Sequence, residues 1–195
     1  MTPDTKERLL SIGEALVSAK SFHSVGLNEI LAASDIPKGS FYHHFSSKEE
    51  FGVELIRRYS AAGRERWGTM LDPDTGLKPL DRLLTMLEAQ IAVMMEHKCR
   101  QSCLLVKLAA EVSHLSESMR IEVEQMISDW RAKWVELIRE GQKTGDIRKN
   151  GKPEPLAAFA QAAWIGSIVR SHVEQSAGPL RATRDAIAAY LSTGS

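Results

Sequence analysis

The chain has 195 residues, 43% of them hydrophobic and 26% charged, which is the composition of an ordinary globular protein long enough to bury a sizeable core. Lys plus Arg and Asp plus Glu both number 25, so net charge says nothing about partners. MTPDTKERLL has no apolar secretory core, the longest nearly apolar run (156–169) falls short of the roughly 20 residues a membrane span needs, and two cysteines make no disulfide framework, so a cytoplasmic chain with reduced thiols and no membrane partner is expected.

The helical period recurs along the chain. Leu9, Ile12, Leu16 and Ala19 predict a first helix over residues 4–20, and Leu27, Ile30 and Leu31 a short second one. Pro37 breaks that helix and can open a third, running to Phe45. Ser46 or Ser47 followed by Glu49 and Glu50 is a start signal for a fourth, carried by Phe51, Leu55, Ile56 and Tyr59 toward Leu71. The turn DPDTG precedes a fifth helix with Leu80, Leu83, Leu84, Leu87, Ile91 and Met94 on one stripe. A sixth runs from about Ser102 to Ser113, and LSES stops it and caps a seventh whose stripe includes Met119, Val123, Trp130, Trp134 and Ile138. The polar loop KTGDIRKNGKPEP leads to two last helices, about 154–176 and 180–192. No strand signal is found, and the fold class is all-α with about nine helices. The division falls within the fourth helix: residues 1–50 form a helix-turn-helix domain and 51–195 a domain for ligand binding and dimerisation.

Three short N-terminal helices with a tight turn before the third have the physical logic of a helix-turn-helix. The first two hold the third against a small core, and the third enters the DNA major groove. Phe41 and Phe45, four apart, face inward, leaving Lys38, Ser40, Tyr42 and His43 largely outward as donors for phosphates and base edges. Charge gives no help here. Residues 1–60 hold seven Lys/Arg and eight Asp/Glu. A metal on His43 and His44 is disfavoured, because adjacent helical residues point about 100° apart.

The segment GLNEILAASDIPKGSFYHHFSSKEEF resembles the DNA-binding segment of TetR-family transcriptional repressors. The resemblance implies a homodimer with its N-terminal domain on a double-stranded DNA operator and its C-terminal domain taking a small-molecule inducer. It places Lys38, Gly39, Ser40, Tyr42 and His43 in the recognition helix. It gives phosphate contacts to Tyr42 and Lys48, and Gly39 allows close approach to the DNA backbone. Relatives often carry a hydroxyl residue where this chain has Gly26, so that contact passes to the backbone or to Asn28. Asp35 stands where Gly is common in the turn, and Asp tolerates left-handed geometry.

Cys103 lies where the sixth helix should begin, at the positive end of its dipole, with Lys107 one turn on and Glu111 continuing that face. Such surroundings favour a nucleophilic thiolate, although a free cysteine is more often buried and inert. The stretch C-L-x-V-K-L-x-A-E-V-x-x-L-S-E-x-M-R is similar to a subgroup of the family that includes the N-ethylmaleimide reductase repressor and an acrylate-responsive relative. That likeness implies electrophile sensing at Cys103. A pocket between the fourth and eighth helices is expected among Trp67, Met86, Met94, Met95, Trp130, Trp134, Phe159 and Trp164, with Cys103, Lys107 and His114 as its polar end. Aromatic and Met residues at helical spacing are more often plain core. Ala158, Ala162 and Gly166, with Leu180, Ile187 and Leu191, are the candidates for a dimer contact. No nucleophile elbow, phosphate loop or metal-ligand spacing occurs, so neither an enzyme nor a cofactor is expected. The competing readings are a repressor that binds an apolar ligand non-covalently, with Cys103 structural, and a helical interaction protein without specific DNA binding.

Overall fold

The computed structural model describes residues 4–99, 103–112 and 115–193. Among them are nine α-helices: α1 Thr5–Ala19, α2 Leu27–Ser34, α3 Lys38–His44, α4 Lys48–Gly68, α5 Pro79–Glu96, α6 Leu104–Val112, α7 Glu117–Thr144, α8 Pro153–Glu174 and α9 Gly178–Leu191. Two single-turn 3₁₀ helices, Thr69–Leu71 and Pro73–Thr75, lie between α4 and α5. The described residues form no strand, only one isolated bridge between Ile147 and Ser192. No helix among them is long and apolar enough to cross a membrane.

The chain divides into two compact units. The first comprises residues up to Ala62 together with Cys103–Met126, so it takes in the start of α4, all of α6 and the start of α7. It is therefore larger than the 1–50 stretch delimited from sequence. The reason is that Phe51, Leu55 and Ile56 of α4 are fully buried with Leu9 of α1, Ile30 of α2 and Phe41 of α3. Phe41, Phe45 and Phe51 form an aromatic cluster with ring centroids 5.1–5.6 Å apart, a spacing at which such rings attract beyond their burial. Glycines let the helices close on this core. A Cβ on Gly13 would lie 2.3 Å from the Phe51 ring, and one on Gly52 would lie 2.6 Å from Phe22.

The second unit comprises Gly63–Ser102 and Ile127–Ser195. Its core includes Leu83, Met86, Leu87, Ile91, Trp134, Ile138 and Trp164. Leu180, Ile187 and Leu191 of α9, expected to help cover a partner, are buried within this unit instead. Arg82 is almost wholly buried. Its guanidinium donates to the Leu71 carbonyl at 2.9 Å and to Glu140, which offsets much of the cost of burying its charge.

Candidate nucleic-acid interface and sensor helix

The turn between α2 and α3 is built by Asp35, which adopts φ 51° and ψ 44° in the left-handed region. The Asp35 and Ile36 amides close the end of α2 on the carbonyls of Ala32 and Leu31. Pro37 caps α3 from an extended conformation, and the Ser40 amide donates to its carbonyl at 2.9 Å. Buried Phe41 and Phe45 fix the inner face of α3. Lys38, Gly39, Tyr42 and His43 are exposed, and Ser40 is half-buried. Positions 38, 39, 42 and 43 share one face of a helix. Lys38 Nζ stands 5.9 Å from the Tyr42 ring centroid, and a Cβ on Gly39 would meet nothing within 4 Å. The fold therefore leaves that face clear. Asn28 is exposed near the start of α2.

Lys48, for which the resemblance implies a phosphate contact, also has partners within the protein. Its Nζ donates to the carbonyl oxygens of Phe22 at 2.8 Å and His23 at 3.4 Å, and it lies over the Phe22 ring. Desolvation lowers its pKa, partly opposed by the charge of Glu111. The start of α4 is capped reciprocally. Ser47 Oγ accepts from the Glu50 amide at 3.0 Å, and the Glu50 carboxylate accepts from the Ser46 amide at 2.7 Å.

Cys103 is half-buried immediately before α6, and its carbonyl accepts from the amides of Val106 and Lys107. It thus stands at the helix start inferred from sequence. Its Sγ is 3.4 Å from the Tyr59 hydroxyl of α4. On the sequence alone Tyr59 belongs only to an apolar stripe, because nothing local links positions 44 apart. Lys107, expected one turn on from the thiol on the same face, donates its ammonium to the carbonyl oxygens of Ser18 and, at 2.8 Å, Lys20 at the end of α1. Glu111 accepts from the backbone amides of Phe22, at 3.0 Å, and His23. His114 lies outside the described residues.

In the second unit, Trp134 and Trp164 are fully buried and Trp130 is half-buried. Trp130 and Trp134 meet edge-on with centroids 5.6 Å apart. Trp164 Nε1 donates to Gln90 Oε1 at 2.9 Å. The Nε1 atoms of Trp130 and Trp134 and the Nε2 of Gln90 are buried donors without a hydrogen-bond partner among the described residues. Met86 is buried with them in this unit, whereas Met95 and Phe159, also expected in a pocket, are exposed. Phe159 packs on Tyr190 of α9, with centroids 4.8 Å apart.

Residues 9–55 match the family described as bacterial regulatory proteins of the tetR family, and residues 79–187 match a tetracyclin repressor-like C-terminal domain. The HTH-type transcriptional repressor NemR of Escherichia coli is 34% identical over 91% of this chain and 88% of its own length. The transcriptional regulator AcuR of Cereibacter sphaeroides is 32% identical over 89% and 79%. The crystal structure of reduced E. coli NemR superposes with a TM-score of 0.86 at 33% identity, covering 97% of this chain and 98% of that one. With both halves matched and the exposed face of α3 intact, the chain belongs to the TetR family of transcriptional regulators.

Proposed function

We propose that the chain is a cytoplasmic repressor that binds a palindromic operator as a homodimer and releases it when a small electrophile adds to Cys103. The observation that carries DNA binding is the clear polar face of α3, where Lys38, Gly39, Tyr42 and His43 project from a buried Phe41–Phe45 base. On this reading Lys38, Ser40 and His43 reach base edges and phosphates, Tyr42 and Asn28 touch phosphates, and Lys48 holds the loop behind them. Two-fold symmetry sets the two recognition helices roughly 35 Å apart, in successive major grooves.

Release through Cys103 is supported by its place at the α6 start and by the Tyr59 hydroxyl beside it. The thiolate adds to the electron-poor alkene of a quinone or maleimide. An S–C bond forms as the C=C π bond breaks, and the resulting enolate takes a proton from solvent. The bulk of the adduct is incompatible with the 3.4 Å approach of sulfur to Tyr59, so the inducer favours a state in which the recognition helices no longer fit the DNA. The test combines intact-protein mass spectrometry with release of a duplex selected from a random pool. Brief N-ethylmaleimide treatment should modify Cys103 and free the duplex, and Cys103→Ser should hold it. Full release from Cys103→Ser would sink the covalent reading.

A second reading rests on the unpartnered donors of Trp130, Trp134 and Gln90. Buried N–H groups left without acceptors are costly. A neutral ligand with an apolar body and acceptor oxygens would satisfy them, acting non-covalently in the second unit with Cys103 structural. Release of the duplex by an aryl ketone from both wild type and Cys103→Ser would favour it.

A further inference from the structure

The backbone from Ser18 to His23, which joins α1 to α2, is gripped by charged side chains from two helices distant in sequence. Lys107 of α6 donates to the carbonyls of Ser18 and Lys20. Glu111, one turn further along the same face of α6, accepts from the amides of Phe22 and His23. Lys48 of α4 donates to the carbonyls of the same two residues. Bonds between a charged group and the backbone are about twice as strong as neutral ones. The geometry is also selective: a cation meets carbonyls at the C-terminus of α1, where the helix dipole favours it, and an anion meets amides further on. Lys107 and Glu111 are half-buried, so salt screens them less than it would a surface pair.

We infer that Lys107 and Glu111 are positioning residues, a charge clasp through which α6 sets the α1–α2 connection and so the helix-turn-helix, and through which the state of Cys103 reaches the DNA-binding face. The inference deepens the repressor reading and rests on it for its biological use. Cys103 immediately precedes α6, Lys107 and Glu111 follow one turn apart along it, and all three sit in the first compact unit with α1–α3. An adduct that displaces the first turn of α6 from Tyr59 drags both clasp groups. The connection then keeps Lys48, the Lys20–Glu29 ion pair and its own turn, in which the Val25 amide donates to the Ser21 carbonyl, but loses both α6 groups.

The test reads the clasp without needing DNA. In full-length Cys99→Ser protein, Cys103 is the one remaining thiol. Amide hydrogen exchange at Phe22 and His23 is followed before and after alkylation by N-ethylmaleimide. Exchange at these two amides should rise tenfold or more on alkylation, with Cys103→Ser as the unresponsive control. In Lys107→Met and Glu111→Gln, Cys103 should alkylate at the parent rate, while the response at His23 and Phe22 shrinks to less than twofold. Lys107→Arg, which keeps donors for the two carbonyls, should restore it. A purely structural role would lower the melting temperature without uncoupling alkylation from exchange. Unchanged exchange in the alkylated parent, or a parent-like response in both clasp variants, overturns the inference. Selected duplex is measured in parallel. Release of DNA with no change at Phe22 and His23 rejects the clasp and leaves the repressor intact. A change at those amides in a protein that selects no duplex supports the clasp and rejects the repressor.

Discussion

For Lys48 the contact its motif implies and the contacts the fold gives it can be told apart by experiment. The pattern places it at a phosphate, but the fold places its ammonium on two loop carbonyls and over an aromatic ring, with Glu111 near enough to perturb it. A phosphate contact and a loop contact separate in salt. Removing a lysine that neutralises one phosphate reduces the slope of log affinity against log salt by about 0.9. Removing one that only holds the loop leaves the slope alone. Lys48→Met should therefore destabilise the protein by about 1.5–3 kcal/mol, the range for a hydrogen bond to a charged group. It should also weaken duplex binding at every salt concentration with an unchanged slope. Thermal unfolding and a salt titration of binding check both halves, and a slope smaller by one unit would return Lys48 to the DNA.

Helix identities were legible because the apolar period is unbroken over most elements, and because caps are written locally. Asp35 followed by Pro37, and Ser46-Ser47 followed by Glu49-Glu50, give the α2–α3 turn and the α4 start directly. The outward residues of α3 followed from the spacing of Phe41 and Phe45. What sequence could not show was contact at long separation: Tyr59 with Cys103, or α6 with residues 18–23, nearly 90 positions away. Equal numbers of acids and bases also hid a pattern that matters for pH. Glu49 is held below the usual carboxylate range by hydrogen bonds from Ser116 and Ser118, Glu50 by Ser46, and Glu54 by Lys6 and then Arg57. All three shifts are downward. Their stabilisation is therefore complete above the ordinary carboxylate value near ~4 and is lost as pH falls through the lower folded values. Melting followed by circular dichroism should stay level between neutral pH and about 5 and drop steeply below ~4. Glu54→Gln should melt lower at neutral pH and show a shallower acid limb, and an acid limb identical to wild type would remove Glu54 from this account.

The proposed two-fold operator binding needs a partner subunit, and the second unit carries a candidate surface for one. Phe159, Ala162, Gly166, Val169 and Val173 follow one another at spacings of three and four along α8, and all are exposed. Val173 is 76% exposed and Phe159 is 58% exposed. Leu180, Ile187 and Leu191 of α9 are buried inside the unit, so of the candidate dimer residues it is those of α8 that present an exposed face. Gly166 sits at the centre of the stripe with open space where a Cβ would stand, so nothing within the subunit requires a glycine there. Close approach of a second helix would. A stripe that meets its own copy is the self-complementary patch of a two-fold dimer. Gly166→Trp should accordingly leave helix content unchanged and convert the protein to a monomer in light scattering. Duplex affinity should fall on the order of a hundredfold or more, because binding at the second half-site is no longer intramolecular. Val173→Glu, at the exposed end of the stripe, guards against a misfolded tryptophan variant and should act in the same direction. A dimer that survives both substitutions would move the interface off this face of α8, and with it the spacing at which the two recognition helices meet DNA.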